Sequence, residues 1–211
     1  MGTFTFGRTT EDTHYTNLLA NNKEVSRFQS TGTGIIDTIS IWFKHADPGI
    51  VHGKAIVYSD NAGEPDALLG SSDELDIPAS EAAFSWHNFT FTIKPSVSNG
   101  THYHLGFICE AYINFIGCNT SGGARMYNAD TYSNGASDPF GAHTDEAAHE
   151  LDVHADCTET AGGPTVKKGS ALPQTIVAML TSNMLFSACN RFPKPKGPSK
   201  RFPHFTPRIV I

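Results

Sequence analysis

The chain has 211 residues, of which 39% are hydrophobic, and its 19 Gly and 12 Pro suit short strands joined by turns rather than a helical bundle. All 21 Asp and Glu fall at or before Glu159 beside seven Lys and Arg, net −14, whereas the last 51 residues carry eight Lys and Arg and no acid, net +8. No apolar run approaches the roughly 20 residues of a membrane span, the opening MGTFTFGRTTEDTHY lacks the basic and apolar regions of a signal peptide, and Cys109, Cys118, Cys157 and Cys189 have no CxxC or other zinc-type spacing.

Residues 3–6 alternate and end at Gly7, which predicts a short first strand, and the polar run 8–23 reads as loop. Residues 24–29 alternate weakly around Val25 and Phe28. After Thr31-Gly32-Thr33-Gly34, residues 35–44 predict a central core strand with Ile35, Ile39, Ile41 and Phe43 largely on one face. Asp47-Pro48-Gly49 then turns the chain into residues 54–72, KAIVYSDNAGEPDALLGSS. An alternating run, a turn at Asp60-Asn61-Ala62-Gly63 and a second apolar run predict strand, tight loop, strand.

Residues 74–77 stop at Pro78 and suit a sheet edge. Residues 83–93 place Phe89, Phe91 and Ile93 on one face. Residues 102–109 place Tyr103, Leu105, Phe107 and Cys109 on one face and His102 and His104 on the other. Residues 113–118 and 125–127 are shorter strands, 128–145 is a long loop, and 149–157 is a last strand with Leu151, Val153, Ala155 and Cys157 inward. About nine or ten strands spaced by turns imply two packed antiparallel sheets.

The composition changes after Cys157. Thr160-Ala161-Gly162-Gly163-Pro164 reads as linker, and apolar residues at 172, 176, 179, 180 and 184 predict a helix. Pro at 193, 195, 198, 203 and 207 keeps the basic end of the chain extended. The expected organisation is a β-sandwich over 1–158, a linker over 159–169, a tail helix over 170–189 and an arm over 190–211.

Three stretches, TFTFGRTT, IVYSDNAGEPDALLG and ARMYNADTYSNGASDPFG, carry a resemblance. They are similar to the signature of a jelly-roll β-sandwich family that recurs in virion structural proteins and in large secreted or surface proteins. The resemblance implies an all-β, antiparallel two-sheet jelly roll that is not an enzyme and serves as a decoration or fibre module on a virion or extracellular surface. In architecture it also resembles carbohydrate-binding modules. The cysteines within residues 107–118 and the basic tail depart from the family's pattern.

The residues themselves show no nucleophile and base arrangement: there is no GxSxG, HExxH or P-loop. Aromatic side chains that face solvent stack on sugar rings. Trp42 and Trp86, out of phase with their apolar neighbours, and Tyr112, Tyr127 and Tyr132 near loops are the carbohydrate candidates. Asp130, Asp138 and Asp145 can supply oxygen ligands to a structural Ca²⁺, as can Asp60, Asn61 and Glu64, although turns favour the same residues. His102 and His104, with His154, can chelate a transition metal. Cys109 and Cys157 are expected on adjacent strands as buried, reduced thiols.

In the arm, Arg201, Phe202, Phe205, Arg208, Ile209, Val210 and Ile211 join charge to a β-prone apolar end, which suits docking on the sheet edge of a neighbouring subunit. The expected partners are copies of the chain, other virion or surface proteins, or a glycan, rather than nucleic acid. A structural assembly protein and a secreted carbohydrate-binding module are the two leading readings, and a hydrolase on the same fold is a third.

Overall fold

A computed structural model describes residues 1–160 of the chain. Fifteen strand segments follow one another: β1 (Thr3–Gly7), β2 (His14–Leu18), β3 (Asn22–Gln29), β4 (Gly34–Lys44), β5 (Val51–Asn61), β6 (Glu64–Ser71), β7 (Leu75–Ile77), β8 (Ser85–Thr90), β9 (Ser96–Val97), β10 (His102–Cys109), β11 (Ile113–Asn119), β12 (Ala124–Ala129), β13 (Thr144–Ala147), β14 (Glu150–Leu151) and β15 (Val153–Glu159). The expected tail helix, the extended arm and the linker beyond Thr160 lie outside the described residues. Among the described residues no helix is long and apolar enough to cross a membrane.

The strands form two antiparallel sheets. One has eight strands, with the path β1-β15-β4-β11-β14, β2 joined to β11, and β8 and β9 joined to β4. The other has seven, with the path β13-β12-β3-β10-β5-β6 and β7 joined to β5. Their facing sides share one apolar core, to which β4 gives Ile36, Ile39, Ile41 and Phe43, β5 gives Val51, Ala55 and Val57, β10 gives Tyr103, Leu105 and Phe107, and β14 and β15 give Leu151, Val153 and Ala155. Two sheets closed over such a layer are a sandwich. Cys109 and Cys157 enter this layer from opposite sheets, not from adjacent strands, and Cys109, Cys118 and Cys157 are free and buried.

Several local expectations change for identifiable reasons. The polar run over 8–23 contains β2 and the start of β3, because backbone pairing with β11 and β10 overrides weak local propensity. In β4 a register shift against β15 turns Ile36 rather than Ile35 inward. The strand predicted over residues 83–93 is β8, which ends at Thr90, so Phe91 is buried just beyond it and Ile93 is 82% exposed. The last strand breaks into β14 and β15 around Asp152.

The predicted hairpin is β5 and β6, turned by Ala62 and Gly63 at φ 56° and 107°. Its outer face is not exposed. Ile56 and Tyr58 of β5, with Val25, Ile108 and Met126, form a second apolar cluster that Tyr132 and Phe140 of the long loop cover. Backbone and side-chain bonds hold this cover down: Phe140 N to Asp66 O at 2.9 Å, Leu68 N to Asp138 Oδ1 at 3.0 Å, and Tyr58 OH to Ser137 O at 2.7 Å. Two of the three stretches that carry the resemblance therefore pack on each other.

The pairing network closes at β15, whose Glu159 N bonds to Gly2 O. A chain truncated after Thr160 is thus expected to fold, with strand-dominated circular dichroism and a cooperative melt at the full-length midpoint. A truncated product that is unfolded or insoluble would refute this.

Candidate functional site

The outward side of the eight-stranded sheet carries the largest aromatic assembly in the described residues. Antiparallel pairing of β4 with β8 sets Trp42 directly opposite Trp86, with ring centroids 5.4 Å apart. Phe84, just before β8, stacks on Trp42 at 5.9 Å and 21°. Phe115 of β11 follows at 6.3 Å from Phe84, and Tyr15 of β2 meets Phe115 edge-on at 4.8 Å. At the other end His154 of β15 meets Trp86 at 4.7 Å. Six rings, five on five different strands and Phe84 just before β8, make one continuous strip.

The strip is open to solvent and rimmed with polar groups. Tyr15 is 54% exposed, and Trp42, Phe84, Trp86 and Phe115 are half-buried, each offering part of a ring. Gly117 gives the Trp42 indole its seat, since a Cβ there would lie 2.5 Å from the indole and 2.7 Å from Asp152 Oδ2. Trp86 Nε1 donates to Glu11 Oε1 at 3.0 Å, which fixes that ring. Ser40 and Asn88 bond to each other beside the tryptophans, and Lys44 lies 5.2 Å over Phe115.

Arg8 bonds both Asp12, at 2.5 Å, and the fully buried Asp152, at 2.9 Å. Burial pushes the Asp152 carboxyl up to about 6 against the pull of the Asp12 amide and Arg8. Burial also lowers His154, against the opposing effect of Asp156.

The structure brings two of the five aromatic candidates together. Trp42 and Trp86 pair, but Tyr112 is half-buried in the turn before β11, and Tyr127 lies on the other sheet under the Arg125 guanidinium at 4.6 Å. Tyr132 is buried in the second cluster and donates to Glu74 Oε2. Tyr15, Phe84 and Phe115 carry no mark in the sequence, because Tyr15 sits in a run that reads as loop and the others gain meaning only through strand pairing, while His154, expected as a metal ligand, joins the strip instead.

The three loop aspartates do not converge on a calcium site. Asp130 is taken by Lys23 at 2.8 Å and the Ser137 amide, Asp138 accepts the Leu68 amide, and Asp145 faces His143. Asp60 binds Arg27 and His104. His104 is buried on the seven-stranded sheet, and His154 belongs to the eight-stranded one, so the expected histidine chelate does not form. The arm residues Arg201, Phe202, Phe205, Arg208, Ile209, Val210 and Ile211 lie outside the described residues.

A cavity of about 370 Å³ opens between β2, β3 and β12, lined by Tyr15, Leu18, Glu24, Arg125, Tyr127 and Glu146 among others. Glu24 is fully buried behind it, with Oε2 bonded to Arg125 Nη1 at 2.7 Å. Burial pushes its carboxyl up to about 7 despite Arg125, and Glu146 adds repulsion. An acid whose folded value exceeds its unfolded 4.5 stabilises most below pH 4.5, and that stability is lost as pH rises to about 7. Relative to Glu24→Gln, the native chain should lose about 3 kcal/mol between pH 4 and pH 8. Urea unfolding of both chains at the two pH values checks this, and a pH-independent difference rejects it.

No family model, curated protein or solved structure matches the chain.

Proposed function

We propose that the chain is a non-catalytic sandwich of jelly-roll type that binds neutral glycan chains along the aromatic strip of its eight-stranded sheet. The observation that carries this reading is the Trp42–Trp86 pair, extended by Phe84, Phe115 and Tyr15 on an outward face. Sugar rings present C–H faces that lie on aromatic rings, and their hydroxyls need acceptors at the margin. Glu11, Asp12, Asn88 and Asp156 stand around the strip in that role. The net −14 of the first 160 residues disfavours acidic polysaccharides and so favours neutral ones.

Display on a virion or an extracellular filament, with the 190–211 arm docked on a neighbouring subunit, is the proposed setting. The charge split of the sequence supports it, since an acidic stretch and a basic end in one chain attract each other between copies.

Both tryptophans of the chain lie in the strip, so intrinsic fluorescence reports on the site alone. Titration with neutral oligosaccharides is expected to shift the emission saturably, and affinity electrophoresis in gels containing the matching polysaccharide is expected to retard the chain. A broad panel of neutral glycans that changes neither would overturn the reading.

A further inference from the structure

We infer that Glu64, His143 and Asp145 form a binding site for a first-row divalent cation of the zinc type, distinct from the aromatic strip and on the other sheet. The Nε2 atom of His143 lies 2.8 Å from Glu64 Oε2 and 3.2 Å from Asp145 Oδ1. Its Nδ1 faces Gly141 O at 2.9 Å, and because a carbonyl only accepts, that nitrogen carries the hydrogen. Its other nitrogen, Nε2, lies between two carboxylate oxygens, and the three ligand atoms converge within 4.8 Å of one another, where one cation can be shared by all three.

The spacing agrees with this. Around a zinc-sized ion with bonds of about 2.1 Å, neighbouring ligand atoms stand about 3.0–3.4 Å apart, close to the 2.8 and 3.2 Å that separate His143 Nε2 from the two carboxylate oxygens. A histidine that donates its second ring nitrogen to a backbone carbonyl is also the arrangement that metal-bound imidazoles use, since it fixes the tautomer and aims the free nitrogen. The ring is braced edge-on against the buried Phe140 at 5.5 Å. Asn128 Nδ2 holds the flanking backbone by bonds to Phe140 O and Ala142 O. The site is thus preorganised by groups outside it.

A second cluster, His52 with Glu74 and Asp76, lacks this character. Its Glu74 already takes a hydrogen from Tyr132 OH and has Lys54 at 3.9 Å. Among the described residues, Glu64 and Asp145 have no Lys or Arg partner; His143 is their shared neighbour. One imidazole with two carboxylates suits zinc better than calcium, which seeks six to eight oxygens. The three ligands come from the start of β6, the end of the long loop and β13, so the ion joins the hairpin to the loop that covers the second apolar cluster.

Isothermal titration of the full chain, stripped with chelator, with Zn²⁺ is expected to show one site of micromolar or tighter affinity. His143→Ala should abolish it, and the exposed, structurally mild Glu64→Gln should weaken it at least about tenfold. His52→Ala should leave it unchanged, and excess Ca²⁺ should not compete. The thermal midpoint should climb with free Zn²⁺ in the native chain and not in His143→Ala. Absence of Zn²⁺ binding means that a hydrogen, not a cation, joins the three groups, and overturns the inference. Binding that survives both His143→Ala and Glu64→Gln overturns it as well, because the ion then sits elsewhere.

Discussion

Trp42→Ala or Trp86→Ala is expected to weaken binding of a neutral glycan about thirtyfold, and the double replacement to abolish it. Central aromatic residues of a recognition surface typically cost about 2 kcal/mol or more on truncation, and each 1.4 kcal/mol is about a factor of ten in affinity. Because Trp42 rests on both Trp86 and Phe84, the two losses should not add: removing either indole lets the other shift. The fold should survive, since neither indole belongs to the apolar layer between the sheets. Trp→Phe should keep much of the affinity, and Tyr127→Ala, on the other sheet, should keep all of it. Competition titration with any labelled oligosaccharide that binds the native chain checks the series. Native-like affinity in Trp42→Ala/Trp86→Ala would remove the strip from the mechanism.

Asp130→Ala is expected to destabilise the chain by about 3–5 kcal/mol, the usual cost of leaving one member of a buried ion pair alone. Lys23 is completely buried on β3, with Asp130 Oδ2 at 2.8 Å, Tyr58 OH at 3.3 Å, Ser137 Oγ in contact and the Phe140 ring 4.5 Å away. Desolvation already lowers the Lys23 ammonium against the pull of Asp130, and without that partner the charge has only neutral oxygens and ring faces. Lys23→Met removes the charge and fills the space with an apolar chain, so it should cost less. The pair Lys23→Met/Asp130→Ala should be more stable than Asp130→Ala alone. Equilibrium unfolding in urea decides the matter: an Asp130→Ala chain within 1 kcal/mol of native would show that the pair contributes little.

The same contact explains why the long loop is ordered. Its backbone carries Asp130, Tyr132, Ser137, Asp138 and Phe140 onto the outer face of the seven-stranded sheet, where polar bonds surround an apolar centre. The Asp138–Pro139 peptide bond within it is cis. Asp130, one of the candidate calcium ligands, is held here by a buried lysine. Local alternation carries no sign of it, because a lysine in a polar run reads as solvated.

The amino-acid order alone determined what depends on neighbours along the chain. The period-two runs gave the inward faces of β10 and of β14 and β15, and a four-residue turn signal placed the β5–β6 hairpin, since strand pleat and turn geometry are local properties of the backbone. The out-of-phase tryptophans were legible for the same reason. Tertiary structure decided everything that depends on which strand lies beside which: that Trp42 meets Trp86, that Tyr15, Phe84 and Phe115 lengthen the strip, and that Glu64 meets His143 and Asp145. It also decided that Lys23 is buried, because the long loop covers a sheet face that alternation alone marks as solvent-exposed, and that Glu24 and His104 are buried against Arg125 and Asp60. Register between distant strands is fixed by the total burial that the whole chain can reach, and no short window of sequence contains that sum.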